Sequence, residues 1–172
     1  MRPTAEELAA ELALEPHPEG GFFRETYRAT ESIPTSRGER AASTAILFLL
    51  TASSPSRFHR LRSDELWVFQ VGSPLELVTI DAAGAVQVRR LARPVGAGVE
   101  SHAVVRADVW QAARVLADDA PEPGDAAGGE PRWSLVTCVV TPGFDFVDLE
   151  LGRRDELTRL CPEQAELIAA LT

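Results

Sequence analysis

The sequence contains no lysine and no asparagine, and its 17 basic residues are all arginine. Lysine is the residue that reaches phosphates in P-loop proteins and forms Schiff bases with carbonyl substrates or pyridoxal phosphate. Asparagine orients the histidine in papain-like Cys-His-Asn triads. These three kinds of site are therefore excluded before any motif is considered.

Histidine, cysteine and tyrosine are also scarce, with three, two and one residue respectively. Cys138 and Cys161 form neither a CxxC pair nor a disulfide framework. Cys138 lies in the apolar run LVTCVV, which predicts a buried free thiol, and this cysteine usage fits a reducing, cytoplasmic compartment. The GxSxG, HExxH and GxGxxG motifs of serine hydrolases, zinc proteases and dinucleotide-binding proteins are absent.

No apolar run has the length of a membrane-spanning helix. The most apolar stretch, residues 43–52, is far shorter than the roughly 20 residues required, and the acidic, amphipathic start of the chain is unlike a signal peptide. Acidic residues outnumber basic ones by 26 to 17, for a net charge of -9, whereas nucleic-acid binding needs clustered basic residues. We therefore expect neither a membrane nor a nucleic acid as a partner.

What is present predicts a single domain, 1–172, made mainly of β-strands. From about 22 to 151, short runs rich in Val, Ile, Phe, Trp and Thr are separated by Gly, Pro, Ser and Asp. This pattern is typical of an all-β sandwich or barrel. The stretch 118–131 has no periodicity and is predicted to be a surface loop between two strands.

Short helices are expected at both ends of this β region. The first spans about 4–14, where Thr4 and Glu7 match a capping box. The second helical segment spans about 153–171, and its apolar face is expected to pack on the barrel. That face consists of Leu167, Ile168 and Leu171.

The segment SRFHRLRSDELWVFQVGSPLEL carries the pattern with the most chemical content. His59, Glu65 and Gly72 stand at the spacing of the first motif of the cupin fold, which consists of a Gly, an HxH pair, a Glu and a second Gly. Leu61 occupies the position of the second His. The segment therefore resembles this motif with one of its histidines missing.

The second cupin motif, PxGxxH, falls on residues 106–111, where Gln111 stands at the His position and the Pro and Gly are also absent. Ordinary cupins use three His and a Glu at these positions to hold Mn, Fe, Zn or Ni. Here the candidate ligands are His59, Glu65 and Gln111, with Leu61 in the fourth place. Because an amide oxygen binds these metals weakly, no tightly bound cofactor is expected. The alternative is that His59 and Glu65 are polar pocket groups bonded to each other.

Longer motifs run through nearly the whole chain. They are PHPEGG at 16–21, FRETYR at 23–28, STAI at 43–46, FHRL at 58–61, SDE at 63–65, GSPLEL at 72–77, VWQAA at 109–113 and PGFDF at 142–146. In these motifs the chain resembles the DUF985 family, also called cupin-5. The resemblance implies a double-stranded β-helix, or jelly-roll, barrel that is usually a homodimer and holds a small-molecule pocket at its mouth. It implies no particular reaction, because the family has no agreed activity.

The chain departs from the family pattern at two places. Val68 stands where the family usually has a His, which removes a titratable group. In the second place the family reads VPAG, and this chain has Arg106 for the Pro and Asp108 for the Gly. A rigid residue and a conformationally permissive residue are thus replaced by charged ones in a turn.

His59 is the candidate general base, because an ordinary His pKa of about 6.5 suits proton transfer near neutral pH. Glu65 or Asp64 would orient its ring. Tyr27, the only tyrosine, would donate or accept a proton opposite His59, as an epimerase of this fold requires. The alternative is that Tyr27 packs in its strand and caps the barrel.

Candidate ligand-binding residues come from two groups. Arg24, Arg28 and Arg114 would hold a ligand carboxylate or phosphate, or would instead pair with Glu on the surface. Three further residues would form the pocket wall, or else belong to the barrel core: Phe69, Trp110 and Gln111.

The remaining histidines and the first tryptophan of the chain have simpler interpretations. Trp67 is expected in the barrel core. His17, in PHPEGG, is expected in a turn before any role as a ligand, and His102 is expected on the surface.

Two functions remain open at this point. The first is a small-molecule isomerase or epimerase, acting on a sugar derivative with His59 as the base. The alternative is a cupin that binds a small acid or sugar in the same pocket without catalysis.

Overall fold

The computed structural model describes residues 3–93, 98–116 and 133–172. The loop predicted at 118–131 lies outside these residues. The described helices are α1 (Ala5–Glu11), α2 (Arg154–Leu160) and α3 (Ala165–Ala170). The strands, in chain order, are β1 (Glu15–Pro16), β2 (Phe22–Arg28), β3 (Ser32–Thr35), β4 (Gly38–Ala41), β5 (Thr44–Thr51), β6 (Ser56–Leu61), β7 (Asp64–Gly72), β8 (Leu75–Ile80), β9 (Val86–Leu91), β10 (His102–Val105), β11 (Trp110–Val115), β12 (Trp133–Thr141) and β13 (Leu149–Leu151).

Two sheets face each other and enclose the barrel interior. The first has the strand order β1-β2-β5-β12-β7-β10, and the second has the order β13-β6-β11-β8-β9. The strand pairs in both sheets are antiparallel. This is the jelly-roll architecture, and the prediction of a mainly-β cupin barrel is confirmed.

Alternation of inward and outward side chains, interrupted by a few β-bulges, builds the barrel interior. On β7, Trp67 and Phe69 are buried between the sheets, while Val68 points to the outer face and is only half-buried. The buried side chains between the sheets are Phe48, Leu50, Trp67, Phe69, Leu75, Leu77, Leu91, Ala103, Val105, Ala113, Val136 and Cys138.

The helices cover opposite outer faces of the barrel. α1 lies on the first sheet, where Ala5 and Ala9 pack with Leu49 and Trp133. The expected capping box is present, since the Thr4 hydroxyl accepts from the amide of Glu7 and the Glu7 carboxylate accepts from the amide of Thr4.

α2 and α3 lie on the second sheet. Ile168 and Leu171 are buried there against Phe58 and Trp110, and Leu167 is partly buried beside them. The structure describes no helix that is long and apolar enough to cross a membrane.

The barrel is closed at one end and hollow at the other. Toward the closed end, where the register pairs Ser134 with Leu50 and Gly72, Leu50 belongs to the packed interior. At the hollow end, the register places Val140 beside both Thr44 and Glu65. The candidate functional site lies in this hollow end.

Candidate functional site

A cavity of about 330 Å³ occupies the hollow end of the barrel. Its wall is largely apolar, and acidic groups lie at its floor and rim. The residues that line it are His17, Glu19, Phe23, Glu25, Arg28, Thr44, Ile46, Leu61, Glu65, Cys138, Val140, Phe144, Asp145 and Phe146. An apolar pocket with a few convergent polar groups is the usual form of a small-molecule site.

The turn between β1 and β2 brings His17 and Glu19 into this cavity. The amide of Gly20 donates to the carbonyl of His17 over 3.0 Å, and the amide of His17 donates to the carbonyl of Gly21 over 3.1 Å. Gly20 has a φ of +112°, and a side chain there would place its Cβ 2.0 Å from the carbonyl oxygen of Pro55. Only glycine fits this position, because other residues meet both strain and a clash with backbone.

Arg57 clamps the same turn to β6. Its amide donates to the carbonyl of Glu19 over 2.8 Å. Its guanidinium donates to the carbonyls of Glu19 and Pro18 over 3.2 and 2.6 Å. The hydroxyl of Ser56 donates to Glu19 Oε1 over 2.9 Å, so both the backbone and the side chain of Glu19 are held in place.

His59 lies behind the cavity floor, between two carboxylates. Its Nδ1 is 2.8 Å from the carbonyl oxygen of Arg57, and a carbonyl only accepts, so Nδ1 carries a proton. Its Nε2 lies 3.3 Å from Glu19 Oε2 and 4.0 Å from Glu65 Oε2. His59 is only 1% exposed and does not line the cavity itself.

A chain of buried hydrogen bonds continues from Glu65. The Gln111 amide nitrogen donates to Glu65 Oε2, and the Trp67 indole nitrogen donates to Gln111 Oε1 over 2.9 Å. Both ends of the Gln111 carboxamide therefore have a partner within the barrel. This chain fixes the position of Glu65, because each member is buried and its rotation would break a bond.

His59 and Glu19, whose Nε2 and Oε2 atoms lie 3.3 Å apart, have strongly shifted pKa values. Burial by itself would lower the pKa of His59, but the negative charges of Glu19 and Glu65 and a hydrogen bond to Glu65 outweigh it and raise that pKa to about 9. Burial raises the pKa of Glu19 to about 7, although the charge of His59 opposes this. At neutral pH, His59 is thus an imidazolium, and Glu19 is populated in both its acid and its carboxylate forms.

Two other titratable groups of the cavity are held neutral. Burial, followed by the charge of His59, lowers the pKa of His17 to about 4. His17 Nδ1 lies 3.4 Å from the amide nitrogen of Glu19 and accepts from it, so the ring proton is on Nε2. Burial, and then the charges of Glu65 and Glu19, raise the pKa of the Cys138 thiol. Cys138 is a free, buried cysteine, as expected.

The comparison with family models decides the affiliation of this chain. The model of the Cupin superfamily (DUF985) matches residues 6–152. The chain is a member of this cupin family. This confirms the resemblance that the motifs predicted.

Relatives of this cupin share both sequence and fold. The uncharacterized protein YML079W of Saccharomyces cerevisiae is 31% identical over 180 residues, which cover 96% of this chain and 85% of the yeast protein. A solved structure of a hypothetical protein from Leishmania major is 32% identical, with a TM-score of 0.84 and 99% of each chain covered.

A more distant likeness concerns the fold alone. Oxalate decarboxylase from Bacillus subtilis aligns with a TM-score of 0.53 at 13% identity, over 91% of this cupin and 36% of the decarboxylase. The shared feature is the cupin barrel, and at this identity no reaction can be transferred.

Three predicted site residues of this cupin do converge. His59, Glu65 and Gln111 are all buried at one end of the barrel, linked through Glu65. Glu65 alone among these three lines the cavity. His59 therefore has no direct path to a ligand, which bears on its predicted role as a base.

Tyr27 and Arg24 do not reach the cavity. In a regular strand, Tyr27 would share the inward face with Phe23 and Glu25, but a β-bulge between Glu25 and Tyr27 reverses the alternation. Arg28 consequently lines the cavity and Tyr27, 55% exposed, lies on the outer face. The structure does not place Tyr27 opposite His59.

The other candidate ligand-binding residues also lie away from the cavity. Trp110 and Arg114 alternate with Gln111 on β11 and so face outward. Trp110 packs against the helices of the second sheet, and Arg114 pairs with Glu76, with an Arg114 Nη2 to Glu76 Oε1 distance of 2.6 Å. Phe69 is part of the packed interior toward the closed end.

The residues present do not fit a divalent metal. Within the described part of the chain there is no group of three or more His, Cys, Asp or Glu arranged to hold one. Leu61 offers no donor, both ends of the Gln111 carboxamide are already bonded, and His59 Nε2 faces the carboxylates of Glu19 and Glu65.

Glu19 is a cavity residue that sequence reasoning missed, and His17 is one for which it ranked a role as a ligand second. His17 was expected to be a turn residue first, and it is indeed in a turn, but its side chain is 9% exposed and lines the cavity. The signal that pointed to both residues was the PHPEGG motif, in which two consecutive glycines follow a His and a Glu. His102, expected on the surface, is exposed on β10.

Proposed function

We propose that this cupin binds a small molecule in its barrel cavity and moves a proton on it, as a small-molecule isomerase does. The observation that carries the proposal is Glu19, a carboxyl group that lines the cavity and has a pKa of about 7. A group that exchanges protons at neutral pH works best when both of its forms are populated. Glu19 meets this condition, whereas His59 lies behind the floor and holds its proton.

In the proposed reaction, the Glu19 carboxylate removes a proton from a substrate carbon next to a carbonyl group. The C–H bond breaks, an O–H bond forms on Glu19, and the electron pair moves onto the carbonyl oxygen as an enolate. With a hydroxyl group on that carbon, as in a sugar, the hydroxyl proton moves to the enolate oxygen. Glu19 then returns its proton to the former carbonyl carbon while a carbonyl group forms at the carbon that was deprotonated, which restores the Glu19 carboxylate and completes an isomerisation. With Tyr27 on the outer face, a one-base isomerisation is better supported than a two-sided epimerisation.

Two histidines assist Glu19 in different ways. His17 is neutral and carries its ring proton on Nε2, so it is a donor for a developing enolate oxygen. His59 is a positioning residue, because its imidazolium lies 3.3 Å from Glu19 and stabilises the carboxylate form. A sugar derivative remains the proposed substrate, since Glu19 and Glu65 at the floor would accept hydrogen bonds from hydroxyl groups.

The test uses the full-length protein and a small-molecule extract of its native cells in D2O. We expect at least one compound to gain deuterium in the presence of the wild-type protein. The variant Glu19→Gln should slow this exchange about 100-fold or more, because loss of a general base costs that much. The rate should rise as pH increases through about 7, where Glu19 loses its proton.

The matched control is Glu11→Gln, on the exposed end of α1 away from the cavity, which should exchange at the wild-type rate. Exchange by Glu19→Gln at the wild-type rate would contradict the proposal. Native mass spectrometry distinguishes catalysis from the second candidate function, which is ligand binding without catalysis. A compound retained by the protein while none gains deuterium would mean binding without catalysis.

A further inference from the structure

The charges that line the cavity are predominantly negative. Glu19 and Glu65 lie at the floor and Asp145 lies at the rim. One imidazolium, that of His59, is shared between the two floor carboxylates, so the floor carries a net negative charge whenever both are ionised. Two negative charges are not balanced by one positive charge.

Arg28 is the one arginine among the described residues that line the cavity, and its guanidinium is already engaged. Its Nε and Nη2 donate to the two carboxylate oxygens of Glu25 over 2.9 and 2.6 Å. Nη2 also donates to the carbonyl of Phe144 over 3.2 Å. An anionic ligand would therefore have to break a bidentate ion pair before it met a positive charge.

Aromatic rings surround the same space. The rings of Phe144 and Phe146 meet edge to face with centroids 5.0 Å apart, and the rings of His17 and Phe23 do so at 4.6 Å. Phe146 also stacks on His17 at 5.9 Å. The faces of such rings attract an organic cation, and the attraction grows when the cation is desolvated.

We infer that the ligand of this cavity carries an ammonium group on a compact apolar or ring-shaped body, and that anionic ligands are rejected. The ammonium group would lie against Glu19 and Glu65, and the body of the ligand against Phe23, Phe144 and Phe146. This inference rests on the proposed function, since it names the substrate class of the same cavity. A sugar substrate would then be amino-substituted, not phosphorylated or acidic.

Binding of a cation should also draw a proton off Glu19, because a positive charge beside a carboxyl group favours its ionised form. The charged and titratable groups that face Glu19 come from three other elements. They are His59 and Arg57 on β6, Glu65 on β7 and Cys138 on β12, with His17 in its own turn. Release of a proton on binding is a signature that a neutral ligand lacks.

The test compares three probes of similar shape: benzylamine, benzyl alcohol and benzoate. Isothermal titration calorimetry at pH 7, in two buffers of different ionisation enthalpy, gives both the affinity and the number of protons released. We expect benzylamine to bind at least tenfold tighter than benzyl alcohol and to release a fraction of a proton. Benzoate should bind most weakly of the three.

The variant Glu19→Gln should lose about tenfold in benzylamine affinity and all of the proton release, while its affinity for benzyl alcohol stays near wild type. Glu11→Gln is the control and should behave as wild type with every probe. Unfolding in urea, measured for each variant, establishes that the affinities belong to folded protein.

Tighter binding of benzoate or benzyl alcohol than of benzylamine would overturn the inferred preference for a cation. It would not contradict the proposed proton transfer in the cavity. Failure of all three probes to bind would also overturn the preference for a cation. The deuterium experiment tests the proposed function independently of these results, because it uses native compounds and no benzyl probe.

Discussion

His59 is the residue on which burial and charge act most strongly against each other. Removal from water disfavours its imidazolium, yet two carboxylates within 4.0 Å reverse the outcome and raise its pKa to about 9. A histidine placed in this way stays positively charged and stabilises the neighbouring carboxylates; it does not take protons from a ligand. The same carboxylates make the barrel sensitive to alkaline pH.

We predict that the free energy of unfolding falls between pH 6.5 and 9. The folded-state pKa of His59, about 9, is above its ordinary 6.5, so its stabilisation is complete below pH 6.5 and is lost as pH rises to about 9. The raised pKa of Glu19 has the same sign up to about pH 7. Urea unfolding at pH 6, 7.5 and 9 should show a decrease on the order of 2 kcal/mol.

The variant His59→Gln should flatten this decrease above pH 7. His102→Gln, at an exposed position on β10, serves as the control and should leave the decrease intact. An equally steep decrease in His59→Gln would show that other groups cause it.

At the scale of secondary-structure elements, a β-bulge and a tight turn influence which side chains meet in this barrel and how stable it is. The bulge in β2 turns Arg28 inward and Tyr27 outward. The turn before β11 contains Asp108 with a φ of +64°, in the left-handed region, at the position where the family usually has Gly. A residue with a Cβ pays a conformational cost there that glycine avoids.

We predict that Asp108→Gly raises the free energy of unfolding by about 0.5–1 kcal/mol, because the backbone strain is relieved. Little is lost with the side chain, since Arg62 Nε lies 3.7 Å from Asp108 Oδ1 and both side chains are more than half exposed. Urea unfolding near pH 7 measures the change. Asp108→Ala provides the comparison and should be less stable than Asp108→Gly; equal stability of the two variants would rule out strain as the cause.

At the scale of the whole molecule, the outer face of the first sheet has an apolar row that α1 leaves uncovered. The register aligns one residue from each of five neighbouring strands. They are Tyr27, Ala45, Val139, Leu66 and Val104. Tyr27 and Val104 at its two ends are 55% and 44% exposed, and an exposed apolar patch of this kind often marks a protein interface.

The homodimer expected from the family resemblance remains a prediction, and this face is where we place it. Light scattering coupled to size exclusion should find a dimer for the wild type. Leu66→Arg, in the centre of the row, should yield a monomer, because a buried, unpaired charge opposes association.

The control for this prediction is Val88→Arg, at a 57% exposed position on the second sheet, which should remain dimeric. A wild-type monomer, or a dimer that survives Leu66→Arg, would exclude this face as the interface.

Local patterns by themselves determined the mainly-β fold class of this protein, and the family motifs implied its jelly-roll architecture. The short runs of β-forming residues between turn residues predict the strands, and the capping box predicts where α1 begins; both depend on neighbours within a few residues. The convergence of His59, Glu65 and Gln111 followed from their match to the positions of the two cupin motifs, because these residues lie on three different strands, β6, β7 and β11.

Only the tertiary structure decided the composition of the cavity. Glu19 reaches it because Arg57, distant in sequence, holds the backbone of its turn, and Tyr27 misses it because pairing with β5 introduces a bulge. Such long-range backbone contacts produce no periodic pattern in the sequence from which they could be predicted. The shifted pKa values of Glu19 and His59 follow from the same cause, because they require two carboxylates and an imidazole from separate elements to be buried together.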